Sequence, residues 1–210
     1  MICLVLLIVL GCWSWEAQSC SCGPRHPQAA YCDSEVVLRA KFIGQSDCEK
    51  RSQWTKFEVK TTKIFKAPKD LDDIQFVYSA KQESMCGYQH TSTNKSEEFL
   101  ISGNMVDGSV YITSCGFIAP WASLTYCQRR GYGQVYEKNC GCQIVPCHHL
   151  PCEISNDRQC LWTDMLMKPR SLYAGYQATK LACVDNGSGI CIWDSLKSRI
   201  YAPITKTTTQ

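Results

Sequence analysis

Apolar and polar positions alternate along the first half of the chain. This pattern predicts short β-strands, because successive side chains of a strand point to opposite faces. The predicted strands cover residues 36–42, 55–65, 74–78, 97–101 and 109–113. In the second of them the alternation slips between Val59 and Ile64, which indicates a β-bulge near Thr61 and Thr62.

Turn and helix signals complete this region. Asp107-Gly108, between the last two predicted strands, is a strong hairpin signal. Pro27 suits the first position of a short helix that runs to Tyr31, and residues 120–130 have a helix-like composition. The expected fold is mainly β. Five short strands favour a small closed barrel of the OB type over a sandwich, with flanking helices, the last of which plugs one end.

An apolar leader precedes this pattern. Its apolar run, residues 3–10, is shorter than the roughly 20 residues that span a bilayer. Ala17 and Ser19 are small residues at the two positions that a signal peptidase reads. Residues 1–19 are therefore predicted to be a signal peptide of a secreted, extracellular protein, with Cys20 as the mature N-terminus. A membrane anchor and a bacterial lipoprotein with a lipidated Cys20 are the disfavoured alternatives.

Cysteine usage agrees with secretion. The chain has 16 cysteines, and removal of the leader with Cys3 and Cys12 leaves fourteen. In an oxidising compartment these predict a framework of up to seven disulfides, whose connectivity cannot be deduced by counting.

The composition and the apolar pattern of the chain change near Gly141. Half of the remaining cysteines lie within residues 140–191, where apolar periodicity is weak and Trp162 and Trp193 are the only large anchors. A segment with so small a core needs covalent cross-links. We therefore expect an N-terminal domain of residues 20–141 and a small disulfide-rich domain of residues 142–210.

Two histidine-containing motifs have alternative interpretations. Residues with zinc-ligand side chains cluster at Cys140, Cys142, Cys147, His148, His149 and Cys152. A secretory leader favours disulfides with incidental surface histidines over a zinc cluster. His26, between Arg25 and Pro27, is interpreted as a constrained residue rather than a ligand or a base.

Charge and motifs exclude several functional classes. The formal net charge is +3 and no basic run is longer than Arg129-Arg130, so a nucleic-acid or heparin partner is unsupported. The chain has no nucleophile elbow, no H-E-x-x-H sequence and no phosphate-binding loop. We expect that the protein is not an enzyme and has no cofactor of its own.

Asn94 and Asn186 begin sequons for N-glycosylation, of which Asn94 is favoured.

Several strings of the sequence closely resemble tissue inhibitors of metalloproteinases. They include Cys20-Ser21-Cys22, His26-Pro27-Gln28-Ala29-Ala30-Tyr31-Cys32, Val37-Leu38-Arg39-Ala40-Lys41-Phe42, Glu83-Ser84-Met85-Cys86-Gly87-Tyr88 and Cys160-Leu161-Trp162-Thr163-Asp164. The similarity covers essentially all of residues 20–200. Residues 86–90, 94–98 and 193–198 look most like the type 1 branch of the family.

The resemblance implies a disulfide pattern. Six bridges are carried over, namely Cys20–Cys86, Cys22–Cys115, Cys32–Cys140, Cys142–Cys191, Cys147–Cys152 and Cys160–Cys183. Cys48 and Cys127 have no counterpart in that pattern. We predict that they form a seventh bridge; the alternatives are free thiols or an intermolecular contact.

The resemblance also implies a mechanism. The amine and carbonyl of Cys20 would ligate the catalytic zinc of a target protease and displace its water. Ser21 would point into the adjacent specificity pocket. The residues assigned to this inhibitory ridge are Cys20, Ser21, Cys22, Gly23, Pro24, Glu83, Ser84, Met85, Cys86 and Gly87. Gly23 stands where larger residues are common in the family, so contacts there are expected to be altered.

The expected partners follow from the same resemblance. They are the catalytic domains of matrix metalloproteinases, with the C-terminal domain also docking a non-catalytic domain of progelatinases and supporting growth-factor-like signalling at a cell-surface receptor. We expect a monomer without a membrane span. The rival interpretation is a netrin-like module that binds partners without inhibiting proteases.

Overall fold

The computed structural model describes residues 20–48, 53–69, 71, 73–167 and 173–197, and the structural statements below refer to these residues. The predicted signal peptide lies outside them. No helix in these ranges is long and apolar enough to cross a bilayer.

The first part of the molecule contains six strands and two short α-helices. They are α1 (Pro27–Asp33), β1 (Val36–Asp47), β2 (Trp54–Lys66), β3 (Phe76–Ala80), β4 (Glu98–Val106), β5 (Ser109–Tyr111), β6 (Ile118–Pro120) and α2 (Tyr126–Arg130). Single turns of 3₁₀-helix occur at Glu83–Met85, Trp121–Ser123 and Glu137–Asn139, and a π-helical turn at Gly131–Val135 follows α2.

The second part contains short elements only. They are β7 (Gln143–Pro146), β8 (Gln159–Trp162), α3 (Asp164–Met167), α4 (Tyr176–Lys180), β9 (Leu181–Asp185) and β10 (Cys191–Ser195). Strands β7 and β8 pair in parallel, and β9 and β10 form an antiparallel hairpin.

Five strands close into a ring. The hydrogen-bonded order is β1-β2-β3-β5-β4, and β4 pairs back onto β1. Strands β3 and β5 are parallel, whereas the other pairs of the ring are antiparallel. A five-stranded closed sheet with this mixed pairing is OB-like, so the predicted fold class is confirmed.

The interior of the ring is apolar. Val36, Leu38 and Ala40 of β1 point inward and meet Phe99 and Ile101 of β4. Val37 and Leu100 have the opposite orientation, since neighbouring strand residues alternate between faces. They belong to a second buried cluster on the outer side of the barrel.

Two sequence-level details of the barrel are confirmed. Arg39 lies opposite Lys63 and Ala40 opposite Thr61, so Thr62 is the extra residue of a bulge. Asp107 and Gly108 have φ values of 49° and 73°, as a two-residue hairpin of the primed type requires.

The prediction of a helix over residues 120–130 is wrong for the first half of this range. Its predicted place at one end of the barrel is also wrong. Pro120 pairs with Phe99 as the end of β6. The helix starts after Thr125, because the side chain of Thr125 accepts the backbone N–H of Gln128, and the Gln128 side chain accepts that of Thr125. The helix packs against the outer face at Val37 and does not plug an end of the barrel.

The outer cluster joins the two predicted domains. Ala182 and Leu196 from the second part pack in it with Tyr31 of α1. Gln28 completes the junction by donating to the carbonyl of Cys183 at 2.7 Å and accepting its N–H at 2.8 Å. A division of the chain at residue 141 stays a prediction, and both sides of it share this core.

His26 is buried at the same junction. Its Nδ1 accepts the N–H of Gln28 at 3.1 Å, and its Nε2 donates to the carbonyl of Gln177 at 3.1 Å. The ring lies 5.6 Å from that of Trp162 and 5.2 Å from that of Trp193. Burial lowers the pKa of His26 to about 4, although the Gln177 carbonyl and the charge of Asp164 act in the opposite direction. His26 is therefore neutral and structural.

The structure contains the six disulfides that the resemblance implies. The predicted seventh bridge is wrong, since Cys48 and Cys127 are free thiols. Cys127 is buried in the outer cluster with Val37, whereas Cys48 follows the opposite end of β1. At a rise of about 3.3 Å per residue the two ends of this strand are tens of ångströms apart. A disulfide needs Cα atoms within about 7 Å.

We expect the two free thiols to differ in reactivity. Half-buried Cys48 should be alkylated by iodoacetamide in the native protein, whereas buried Cys127 should react only after unfolding without reductant. Intact mass spectrometry under both conditions counts the modified residues. A protein that takes up no label even when unfolded would contain the seventh bridge after all.

The environment of His26 predicts a loss of stability in acid. Its folded pKa of about 4 is below the ordinary value of 6.5, so between these pH values the unfolded chain binds the proton more readily. The free energy of unfolding should fall by about 3 kcal/mol as pH drops from 6.5 to 4. Burial also lowers the pKa of His90, so both histidines contribute to the curve. NMR titration of the His26 ring separates them, and a midpoint above pH 6 would contradict the assignment.

Candidate functional site

Two disulfides fix the start of the described chain. Cys20 is bonded to Cys86 and Cys22 to Cys115, each with a Cα–Cα distance of 5.1 Å. The bridges lie against each other, with the sulfur of Cys115 3.6 Å from that of Cys20 and 3.4 Å from that of Cys86. All four sulfur atoms are used in these bonds, so they are not metal ligands.

The segment that receives the first bridge is a tight turn. Glu83–Met85 forms one turn of 3₁₀-helix, and Cys86 closes it in the left-handed conformation with φ of 56°. The N–H of Cys86 donates to the carbonyl of Glu83 at 2.9 Å, and that of Gly87 to Gln82 at 3.1 Å. The side chains of the turn, Glu83, Ser84 and Met85, are exposed as a result.

Backbone and side-chain groups of the barrel hold this turn in place. The N–H of Tyr88 donates to the buried hydroxyl of Ser79 at 2.7 Å, and the N–H of Ser114 donates to the carbonyl of Cys86 at 2.9 Å. Gly87 approaches the backbone of Ala80 so closely that an added Cβ would overlap its carbonyl oxygen. The turn is thus seated on the ends of β3 and the segment after β5.

The predicted ridge residues come together on this support. Ser21, Cys22 and Gly23 are exposed, while Cys20 and Pro24 are half-buried. A groove of about 720 Å³ runs beside them. Its lining comprises Cys20, Glu83, Ser84, Gly87, Tyr88, Gln89, Thr113, Ser114, Gly116 and Ile118.

The last six of these residues were missed by sequence reasoning. The bridge between Cys22 and Cys115, implied by the resemblance, was the available signal, because it brings Thr113, Ser114 and Gly116 beside the N-terminal segment.

The groove has one acidic and no basic lining residue among those described. Glu83 supplies the carboxylate. The Tyr88 hydroxyl and Nδ1 of His90 form a hydrogen bond at 3.0 Å. Burial lowers the pKa of His90. Burial raises the pKa of Tyr88 to about 12. Tyr88 and His90 both pack on Phe42, so they support the groove as neutral groups.

The other sites weighed from the sequence lie elsewhere. The cysteines of the alternative zinc cluster are all in disulfides, and His148 and His149 are exposed beside the Cys147–Cys152 bridge. Asn94 and Asn186 are exposed in turns. The side chain of Asn94 accepts the N–H of Ser96, and that of Asn186 accepts the hydroxyl of Ser188.

A closed barrel that presents a cross-linked, exposed N-terminal segment is suited to binding another protein. Residues 18–193 match the family model described as Tissue inhibitor of metalloproteinase, and the chain belongs to this family. The family predicted from the sequence is therefore confirmed.

Curated relatives cover most of the chain. Metalloproteinase inhibitor 3 of Xenopus laevis is 37% identical over 211 residues, which is 97% of this chain and 95% of the relative. Metalloproteinase inhibitor 4 of Mus musculus is 38% identical over 198 residues, 90% and 87% of the two chains. Metalloproteinase inhibitor 3 of Scyliorhinus torazame is 36% identical over 178 residues, 84% and 81%. These relatives are named as inhibitors, in agreement with a non-enzymatic protein, and they give no support to a type 1 assignment.

Two glycines of the ridge form a matched test of this geometry. Gly87→Ala should destabilise the protein by about 1–3 kcal/mol, because the new methyl group meets backbone that cannot move without shifting the turn. Gly23→Ala should be neutral within about 0.5 kcal/mol, since a Cβ there meets no atom within 4 Å. Urea unfolding measures both variants. Equal stability of the two would show that the close approach at Gly87 is not a constraint.

Proposed function

We propose that this protein is a secreted inhibitor of zinc-dependent matrix metalloproteinases that chelates the target's catalytic zinc through Cys20. The observation that carries the proposal is the cross-linking of an exposed N-terminal segment to the turn at Glu83–Met85 by the Cys20–Cys86 bridge. Membership of the tissue inhibitor family and the names of the relatives support it.

The chemistry follows from the zinc site of the target. A catalytic zinc has three protein ligands and keeps one position open for the water that attacks the substrate. Signal-peptide cleavage before Cys20 would release an α-amine two bonds from the carbonyl carbon of the same residue. The amine nitrogen and carbonyl oxygen then bind the metal together as a five-membered chelate. The displaced water cannot attack a peptide bond.

The residues after Cys20 determine how the segment occupies the cleft. Ser21 is exposed and small, so it suits specificity pockets of different depth. Cys22, Gly23 and Pro24 follow as the residues after a cut bond would, with no scissile bond over the metal. Gly23 has open space around it and leaves contacts unmade that a larger side chain would form.

Rigidity makes so small a segment effective. A free chain end would lose conformational entropy on binding, and this loss would weaken the affinity. The Cys20–Cys86 and Cys22–Cys115 bridges remove that freedom before the target is met. Glu83, Ser84 and Met85 lie on the same rigid surface and contribute further contacts with the target.

Secretion, glycosylation at Asn94 and at Asn186, and a monomeric state belong to the same proposal. The exposure of both asparagines supports their modification. Docking of a progelatinase domain and signalling at a cell-surface receptor stay predictions of the resemblance, and no feature of the described residues favours either one.

The direct test is titration of a matrix metalloproteinase catalytic domain with the secreted protein. We expect stoichiometric inhibition by protein with a confirmed Cys20 N-terminus. Carbamylation of the α-amine should abolish it, because a carbamylated nitrogen no longer ligates zinc. A variant with one alanine added before Cys20, which leaves the lysines unmodified, serves as the control. Inhibition that survives both changes would place the inhibitory contact elsewhere, and no inhibition by native protein would favour a binding module.

Proton competition gives a second readout. An α-amine has a pKa of about 7.7–8.0 and must be neutral to bind zinc, so protons compete with the metal. Affinity should therefore fall up to about tenfold per pH unit between pH 7.5 and 6, after correction for titration of the enzyme. Stopped-flow inhibition at several pH values measures this dependence. A flat profile would contradict ligation by an amine of ordinary pKa.

A further inference from the structure

Both disulfides of the N-terminal segment end in turns and not in strands of the ring. Cys86 follows the 3₁₀ turn at Glu83–Met85, and Cys115 lies in a turn between β5 and β6. Within this second turn the N–H of Gly116 donates to the carbonyl of Thr113 at 3.0 Å. A bridge restrains the N-terminal segment only as far as its own anchor is held, because a turn that moves carries the bridge with it. The rigidity of the ridge therefore depends on what joins these two turns to the barrel.

The same arrangement joins each turn to the barrel. Each anchoring cysteine is followed by a glycine and an aromatic residue, which is Tyr88 in the first turn and Phe117 in the second. The N–H of Tyr88 donates to the hydroxyl of Ser79 at 2.7 Å, and the N–H of Phe117 donates to the hydroxyl of Ser102, also at 2.7 Å. The two serines are buried, with 0% and 2% of their surface exposed. A buried hydroxyl thus accepts the amide two residues after each cysteine.

The two hydroxyls act from opposite faces of the ring. Ser79 lies two residues after Val77 of the apolar interior, and Ser102 lies two residues after Leu100 of the outer cluster. Alternate residues of a strand share a face, so the first turn is held from inside the barrel and the second from its outer side. A displacement of either turn would leave a buried amide without its acceptor, which is unfavourable.

The two turns are also joined to each other. The N–H of Ser114 donates to the carbonyl of Cys86 at 2.9 Å, and the sulfur of Cys115 lies 3.4 Å from that of Cys86. A shift of one turn is therefore passed to the other, and through the bridges to Cys20 and Cys22.

We propose that Ser79 and Ser102 are positioning residues for the inhibitory ridge. Their hydroxyls fix the turns that carry Cys86 and Cys115, and thereby the N-terminal segment that these cysteines hold. Both serines are buried, so neither contacts the target. Their effect on inhibition rests on the function proposed above, whereas the fixing of the turns is a property of the free protein.

The test uses Ser79→Ala and Ser102→Ala in the full chain, since each change removes one hydroxyl and little else. Ser34→Ala is the matched control. The side chain of Ser34 is also buried, and its hydroxyl donates to the carbonyl of Ala30 at 2.7 Å, next to the end of α1 and away from both turns. All three variants therefore lose one buried hydrogen bond of the same length.

Hydrogen exchange followed by NMR reports on the turns themselves. The amides of Cys86 and Gly87 close the first turn with hydrogen bonds of 2.9 and 3.1 Å. They should exchange about three- to tenfold faster in Ser79→Ala, and the Gly116 amide should do so in Ser102→Ala. None of these amides should change in the control variant.

Inhibition gives the second readout. The dissociation constant for a matrix metalloproteinase catalytic domain should rise about three- to tenfold in Ser79→Ala and in Ser102→Ala. It should stay within about twofold of the wild-type value in the control, although urea unfolding should show a similar loss of stability in all three variants. Ser79→Thr keeps a hydroxyl on a strand, where β-branched residues are common, and should restore both the exchange rates and the dissociation constant.

The outcomes separate the two claims. Unchanged exchange of the turn amides in the alanine variants would overturn the positioning role. An equal rise of the dissociation constant in the control would overturn it too, since the effect would follow from a general loss of stability. A Ser79→Thr variant of wild-type stability that exchanges like Ser79→Ala would show that the hydroxyl is not the restraint.

The link to inhibition has its own outcomes. Faster exchange of the turn amides with an unchanged dissociation constant would overturn this link. A wild-type protein that does not inhibit would defeat the proposed function, and the exchange data would still decide the role of the two serines.

Discussion

The paired disulfides at Cys20 and Cys22 are the constraint on which the rest of the structure depends. Each closes a long loop, with sequence separations of 66 and 93 residues, and each lowers the entropy of the unfolded chain by an amount worth about 4 kcal/mol in the chain-entropy model. Their partners, Cys86 and Cys115, lie in the turn after β3 and in the segment between β5 and β6. With Cys20 as the proposed mature N-terminus, a chain end, which is normally mobile, becomes a fixed part of the surface.

The barrel and the second part of the chain both position this cross-linked segment. Closure of β4 onto β1 removes the free edge of the ring. The end of β3 and the segment after β5 hold the turn at Glu83–Met85 in place. His26 and Gln28 then anchor the first helix to the second part through hydrogen bonds with Gln177 and Cys183. Residues far apart in the sequence thus define the path of the chain on both sides of Gly23.

Local patterns predicted the barrel well, because strand alternation and turn chemistry act over a few residues. Period-two patterns located the five strands, and the slip in the second one located the bulge at Thr62. The six disulfides and the ridge came from the family resemblance. The prediction failed where long-range packing decides: β-pairing of Pro120 shortened a helix, and burial of Cys127 far from Cys48 left two thiols free.

We propose that the Cys20 amine becomes a ligand of the target's zinc. Electron–nuclear double resonance on a cobalt-substituted metalloproteinase catalytic domain, bound to inhibitor labelled with ¹⁵N at cysteine, tests it most directly. Among the cysteine nitrogens, those held only in peptide bonds are not expected to bind the metal. Ligation by the Cys20 amine predicts a strong ¹⁵N hyperfine coupling that disappears when an alanine precedes Cys20. A tight complex without any ¹⁵N coupling would contradict it.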